Sequence, residues 1–283
     1  MDNITYSHEH IVIDLSKEKH NDDCKLNIYE DALDELKDLY QKGVRRIVDC
    51  SNHGIGVNRD INHLVEEATG IKIINSTGFY KDPFLPEWFK NASLDDLVQI
   101  MLEDIDKYEC KVIGEIGTSN NEWTENEKKL FKAATIVQKK TNTVIITHTT
   151  LGSLAFDQVR YLKSENINLK KVVISHAALS KDLNMIREVL KEGANVAFDT
   201  IGKLSYLDDD TRACYIKELI DEGYKDQLLM SMDITRKSHL KKNGGVGYSY
   251  LLDEFIPLLI SKGIKKEDIE DIMCHNFENI LGA

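Results

Sequence analysis

The chain has 283 residues, 42% hydrophobic and 30% charged, with a formal net charge of −12. That acidity argues against a nucleic-acid-binding surface, which needs a basic patch, and no apolar run approaches the ~20 residues that cross a bilayer. Five scattered cysteines with no CxxC pair indicate neither a disulfide framework nor a zinc knuckle.

Taken in chain order, the start Met1-Asp2-Asn3-Ile4-Thr5-Tyr6 has no basic n-region and no apolar h-region, so no secretory signal is expected and the cytoplasm is the expected compartment. Strand-like runs are expected over residues 5–13, 46–50, 71–76, 111–116, 143–147, 172–175, 195–199 and 227–232. Between them lie stretches with apolar residues at spacings of three and four, over 28–42, 94–108, 125–139, 151–164, 183–191, 211–222 and 248–260. Gly43, Gly70, Gly193 and Gly223 follow helical runs, where a left-handed residue closes the last turn. The tail after Gly263 reads as one more helix, with Ile272, Phe277 and Ile280 turned inward. Eight strands alternating with helices predict an α/β fold, a (β/α)8 TIM barrel with a C-terminal extra helix, as a single domain over residues 1–283.

Metal-binding side chains sit at the ends of these strands, where such a barrel gathers its chemistry. His8 and His10 share one face of the first strand because side chains alternate with period two, and Glu9 points the other way. Glu115 lies inside the apolar run 112–117, a costly place for a charge unless it is paired with a cation or bound to metal. His148 and His176 end successive strands at equivalent places, and Asp233 ends the last one. Alone, each has a bland alternative: a hydrogen-bonded core histidine for the imidazoles, a helix or turn cap for Asp233. His20, His53, His63 and His275 read as surface or packing residues; His239, in the loop after Asp233, is ambiguous.

The stretches Ser7-His8-Glu9-His10, Gly114-Glu115-Ile116-Gly117-Thr118-Ser119, Thr147-His148-Thr149, Phe198-Asp199-Thr200-Ile201-Gly202-Lys203 and Ser231-Met232-Asp233-Ile234-Thr235-Arg236 carry a family resemblance, joined by 244–248 and the 276–281 ending. The chain resembles the phosphotriesterase family of the amidohydrolase superfamily, most closely its phosphotriesterase homology protein branch. The resemblance spans essentially the whole sequence. It implies that His8, His10 and Asp233 hold a more buried divalent metal, His148 and His176 a more exposed one, and Glu115 bridges them. Zinc is the expected ion, with manganese, cobalt or iron also compatible. Two positions depart from the family pattern. Ala178 stands where many members have an aspartate that leads protons away from the metals, which implies another route or slower turnover. Phe277 stands where many have proline.

The expected chemistry is hydrolysis by a metal-bridging hydroxide, with Asp233 accepting its proton and passing it to the leaving group. Arg236, Lys203, Tyr80 and Lys81 follow strands eight, seven and three and are candidates to meet an anionic small-molecule substrate, against a solvated-loop reading of each. An ester or lactone is favoured over a phosphotriester. A TatD-like metal-dependent deoxyribonuclease and a metal-binding homologue without turnover are the alternatives. No membrane or nucleic-acid partner is expected, and a homodimer is left open.

Overall fold

The fold follows from the alternation of short β-branched runs with capped amphipathic helices. It is described over residues 1–283 by a computed structural model. The barrel strands are β1 (Ile4–Glu9), β2 (Val44–Asp49), β3 (Lys72–Ile74 and Ser76–Thr77), β4 (Val112–Thr118), β5 (Val144–Thr149), β6 (Val172–Ser175), β7 (Asn195–Phe198) and β8 (Leu228–Met230). All pair in parallel with their sequence neighbours. β3 is interrupted at Asn75: its first half pairs with β2 and its second with β4. Between β8 and β1 side chains complete the ring. The Ser7 hydroxyl donates to Met230 O at 3.2 Å, and the His8 N–H donates to the Ser231 hydroxyl at 3.2 Å.

Outside the strands run α1 (Leu33–Gln41), α2 (Arg59–Thr69), α3 (Leu94–Tyr108), α4 (Glu125–Thr141), α5 (Ala155–Ser164), α6 (Leu183–Lys191) and α7 (Asp209–Asp221). The eighth, α8, runs through Leu251–Phe255 and Ile256–Ser261. Local chemistry starts them where it should. Ser93 with Asp96, and Thr124 with Glu127, form reciprocal capping boxes at α3 and α4. Gly70 ends α2 at φ 78°, its N–H donating to Glu66 O, a conformation that a Cβ would strain.

Four expectations shift. The run expected as one strand over 5–13 splits at His10, and Val12–Asp14 leaves the barrel to pair antiparallel with Lys25–Asn27. The helix expected over 28–42 breaks at Ala32, whose φ and ψ are not helical. The helix expected from 151 begins at Ala155, after a 3-10 turn at Thr150–Gly152 in which Leu151 is left-handed. Helix α2 is additional to the expected set. Its apolar stripe is diluted by buried Asn62, whose amide holds Asp49 and Asn75, both at 2.8 Å.

The tail (Lys266–Glu270, Asp271–His275, Asn276–Gly282) is the expected extra helix, α9. It seals the barrel base. Phe277 and Ile280 join a cluster with Val48, Val112, Ile146, Val173, Ala197 and Leu229 from the strand interiors. Emptying that plug leaves a void that strand ends cannot fill. Phe277→Ala is therefore expected to cost about 3–5 kcal/mol, read as a lower denaturant midpoint with an unchanged m-value.

Candidate metal centre

At the other end of the barrel, strand termini deliver the predicted side chains to one point. The Glu115 carboxylate on β4 lies at its centre. His8 Nε2 is 3.5 Å from Oε2 and His10 Nε2 3.4 Å from Oε1. His148 Nδ1 is 2.9 Å and His176 Nε2 3.3 Å from Oε2. Asp233 Oδ1 closes the far side, 3.3 Å from His10 Nε2 and 3.9 Å from His8 Nε2. All six expected ligands thus converge, and with Asp199 they form three possible metal-holding groups: His8, His10 and Asp233; Glu115, His148 and His176; and His8, His176 and Asp199, which shares a histidine with each of the others.

Each ring is aimed by its other nitrogen or by a neighbour. His8 Nδ1 is 2.9 Å from the Ser175 hydroxyl, His10 Nδ1 3.1 Å from the Ser51 hydroxyl, and His176 Nδ1 2.8 Å from Asp199 Oδ1. The Tyr80 hydroxyl lies 3.1 Å from His148 Nδ1. Such outer partners fix tautomer and ring orientation in metal sites. The Nε2 atoms of His8 and His10 are buried and make no directed hydrogen bond to protein. Two inward-facing nitrogens opposite two carboxylates are a donor set suited to divalent cations.

Electrostatics agree. Burial pushes the Glu115 carboxyl up, but the facing His148 and His8 rings and the contacts from His10 and His148 outweigh it and hold the group well below the usual carboxylate range. For Asp233 burial is likewise overcome, chiefly by the Lys203 ammonium, and its carboxyl is also lowered. Burial opposes charge on His10, yet the facing Asp233 and Glu115 carboxylates raise it to about 10. His148, buried and beside His176 and Lys81, is lowered to about 4 despite Glu115.

Glu9 does point to the opposite face. Its Oε1 accepts from the Ser231 hydroxyl and the Met232 N–H, both at 2.7 Å, and from the Asp233 N–H at 3.2 Å; Oε2 accepts from the Ile234 N–H at 3.0 Å. The intervening residue of His8-Glu9-His10 is a clamp on the turn that presents Asp233. Neither Glu9 nor Asp199 figures among the expected site residues. The signal for Asp199 was an acid directly ending the apolar run of β7, the same signal that marks Asp233.

Tyr80, Lys81, Lys203 and Arg236 all line a cavity of about 230 Å³ over the cluster, with Glu115, His148, His176, Asp233 and His239. Lys203 Nζ donates to Asp233 Oδ2. Lys81 Nζ donates to Asp82 O at 3.0 Å, and Arg236 Nη1 is 3.8 Å from Asp23 Oδ2. The ambiguous His239 belongs to this mouth; burial and the Lys203 charge lower it to about 4. Ala178 is buried in the turn after His176 and brings no polar group.

Strand-end imidazoles around one carboxylate at a barrel mouth define a metal-dependent hydrolase of the α/β-barrel class. The comparisons agree and narrow it: residues 3–281 match the sequence model of the Phosphotriesterase family, and the chain belongs to that family. It is 38% identical over 278 residues to the phosphotriesterase homology protein of Escherichia coli (strain K12), covering 96% of this chain and 95% of that one. The crystal structure of the Escherichia coli protein, complexed with phosphate in its active site, superposes with a TM-score of 0.95 over 99% of this chain and 98% of its own. A lactonase from Listeria monocytogenes is 28% identical with a TM-score of 0.92, covering 97% and 93%. N-acetyltaurine hydrolase of Danio rerio is 30% identical over 278 residues, 91% of this chain and 79% of its own.

Proposed function

We propose that the chain hydrolyses a carboxylic ester or lactone bearing an anionic group, using two divalent ions, zinc being preferred, held by His8, His10, Glu115, His148, His176 and Asp233. The observation that carries this reading is the Glu115 carboxylate facing four imidazoles at 2.9–3.5 Å, with Asp233 opposite. When bound, such ions supply an acidified water as nucleophile and a Lewis acid for the carbonyl oxygen.

The chain's own residues do the rest. Glu9 fixes the turn carrying Asp233, and Asp233, ionised through the working pH range, takes the nucleophile's proton and returns it to the leaving group. Tyr80 leans over His148 and excludes water from that side. Lys81 is buried with no carboxylate in ion-pair range, so an anionic substituent of the substrate offers a partner to a cation that burial disfavours. Arg236, only 3.8 Å from Asp23, retains donors that face the cavity mouth. A relative named as a lactonase and one named for N-acetyltaurine hydrolysis support a carbonyl centre over a phosphorus one. The family match over 3–281 and the net charge of −12 count against a TatD-like nuclease.

The test is metal analysis of zinc-loaded protein followed by a screen of esters, lactones and amides, with and without anionic substituents. Metal-dependent turnover of an anionic carbonyl substrate is expected. Arg236→Met is expected to raise KM for that substrate roughly 10–100-fold, the worth of one hydrogen bond to a charged group, with neutral analogues little affected. A fully metallated protein without turnover would support the binding-only alternative, and metal-dependent DNA cleavage the nuclease.

A further inference from the structure

One buried carboxylate reaches a histidine from each half of the cluster. Asp199, fully buried at the end of β7, accepts from the His176 backbone N–H at 3.1 Å and lies 2.8 Å from His176 Nδ1, both through Oδ1. Its other oxygen, Oδ2, lies 3.3 Å from His8 Nδ1 in ion-pair range and has no hydrogen-bond partner, while His8 Nδ1 is directed at the Ser175 hydroxyl at 2.9 Å. His8 comes from β1 and groups with His10 and Asp233; His176 follows β6 and groups with Glu115 and His148. The remaining ring contacts serve one half each: Ser51 holds His10, Ser175 holds His8 and Tyr80 touches His148.

The geometry points to Asp199 as a positioning residue that couples the loading of the two ions, an inference that rests on the binuclear reading above. An ionised carboxylate offers one oxygen to each Nδ1–H: Oδ1 takes that of His176, and Oδ2, free of other donors, attracts that of His8 beside Ser175, so both Nε2 lone pairs turn toward Glu115. Seating His8 on one ion fixes the Asp199 rotamer, and the same rotamer orders His176 for the other. Asparagine has the same shape but only one acceptor oxygen. Its NH₂ cannot receive a ring N–H, so at least one imidazole loses its tautomer, and the shared rotamer no longer serves both.

The experiment is stepwise zinc binding to the full-length chain by competition with a chromophoric chelator. Wild type should bind two ions. Asp199→Asn should raise both dissociation constants roughly 10–100-fold, as loss of an outer partner does, whereas Ser51→Ala should raise only the constant of the ion held by His10. A wild-type measurement needs no substitution: in zinc-loaded protein carrying ¹⁵N-histidine, His8 and His176 should both show a protonated, slowly exchanging Nδ1. An Asp199→Asn protein in which only one constant moves, or neither, overturns the inference while a two-ion wild type leaves the binuclear reading standing. So does an unprotonated Nδ1 on either ring. A wild type that takes up fewer than two ions overturns both.

Discussion

Asp233→Asn is expected to lower kcat by roughly 10²–10⁴-fold, the usual worth of a positioned general base, with zinc still bound. The change removes basicity and leaves the shape. Asp233 sits in a left-handed conformation, φ 50°, at the turn after β8, and Glu9 holds the backbone N–H groups of Met232, Asp233 and Ile234. The substituted amide therefore arrives in the same place. Its oxygen can still face His10, which Asp233 Oδ1 approaches to 3.3 Å. What it cannot do is take a proton, and it no longer neutralises Lys203, whose ammonium is the largest opposing charge on Asp233. The expected signature is a fall in kcat larger than any change in KM, measured at saturating zinc with metal content assayed on the same sample. Wild-type turnover in a fully metallated Asn variant would remove Asp233 from the proton path.

The same geometry shows why some of the site is legible in the sequence. His8 and His10 declare a shared face by period two alone, and His148 and His176 gain meaning because two strands end the same way. Glu115 stands out because burying a charge in an apolar run needs compensation. These are local rules, and they survive folding. Asp199 obeyed the same rule, but its partners, His8 and His176, are 191 and 23 residues away, and nothing local distinguishes a carboxylate that binds a metal from one that orients a ligand. The departure of Val12–Asp14 from the barrel was hidden for another reason. Ile11-Val12-Ile13 continues the β pattern whether the strand goes on beside β2 or turns out to meet Lys25–Asn27, and the partner is set by tertiary pairing. Lys203 was a loop charge in sequence; its pairing with Asp233 depends on how a loop after β7 falls back across the mouth, held by the buried Arg212 through Leu207 O and Lys203 O. Loop trajectories of that kind carry the substrate preference.

Glu115→Ala is expected to weaken metal binding by more than the ~10–100-fold that losing an outer partner costs, because both halves of the cluster lose a direct carboxylate. Proton counting provides an independent readout. In the metal-free chain His10 is raised to about 10 and His176 well above its ordinary value, so near pH 7 both rings carry protons that offset part of the charge of Glu115, Asp233 and Asp199. Imidazole binds metal only when neutral, so loading zinc at pH 7 should release the extra proton of each of these rings in addition to any given up by bound water, and apparent affinity should rise with pH up to roughly the folded value of His10. The sign follows from the raised values: a charge that the folded site favours must be given up on binding, and that cost falls as pH approaches 10. Removing Glu115 takes away one of the two carboxylates that raise His10 and one of the contacts that raise His176. The Ala variant should therefore bind more weakly and release fewer protons, with a shallower rise of affinity between pH 7 and 9. Calorimetric titration in two buffers of different ionisation enthalpy measures both quantities together. Weaker binding with an unchanged proton count would mean that Glu115 is a ligand whose charge the histidines do not feel, which the 2.9–3.5 Å separations do not allow.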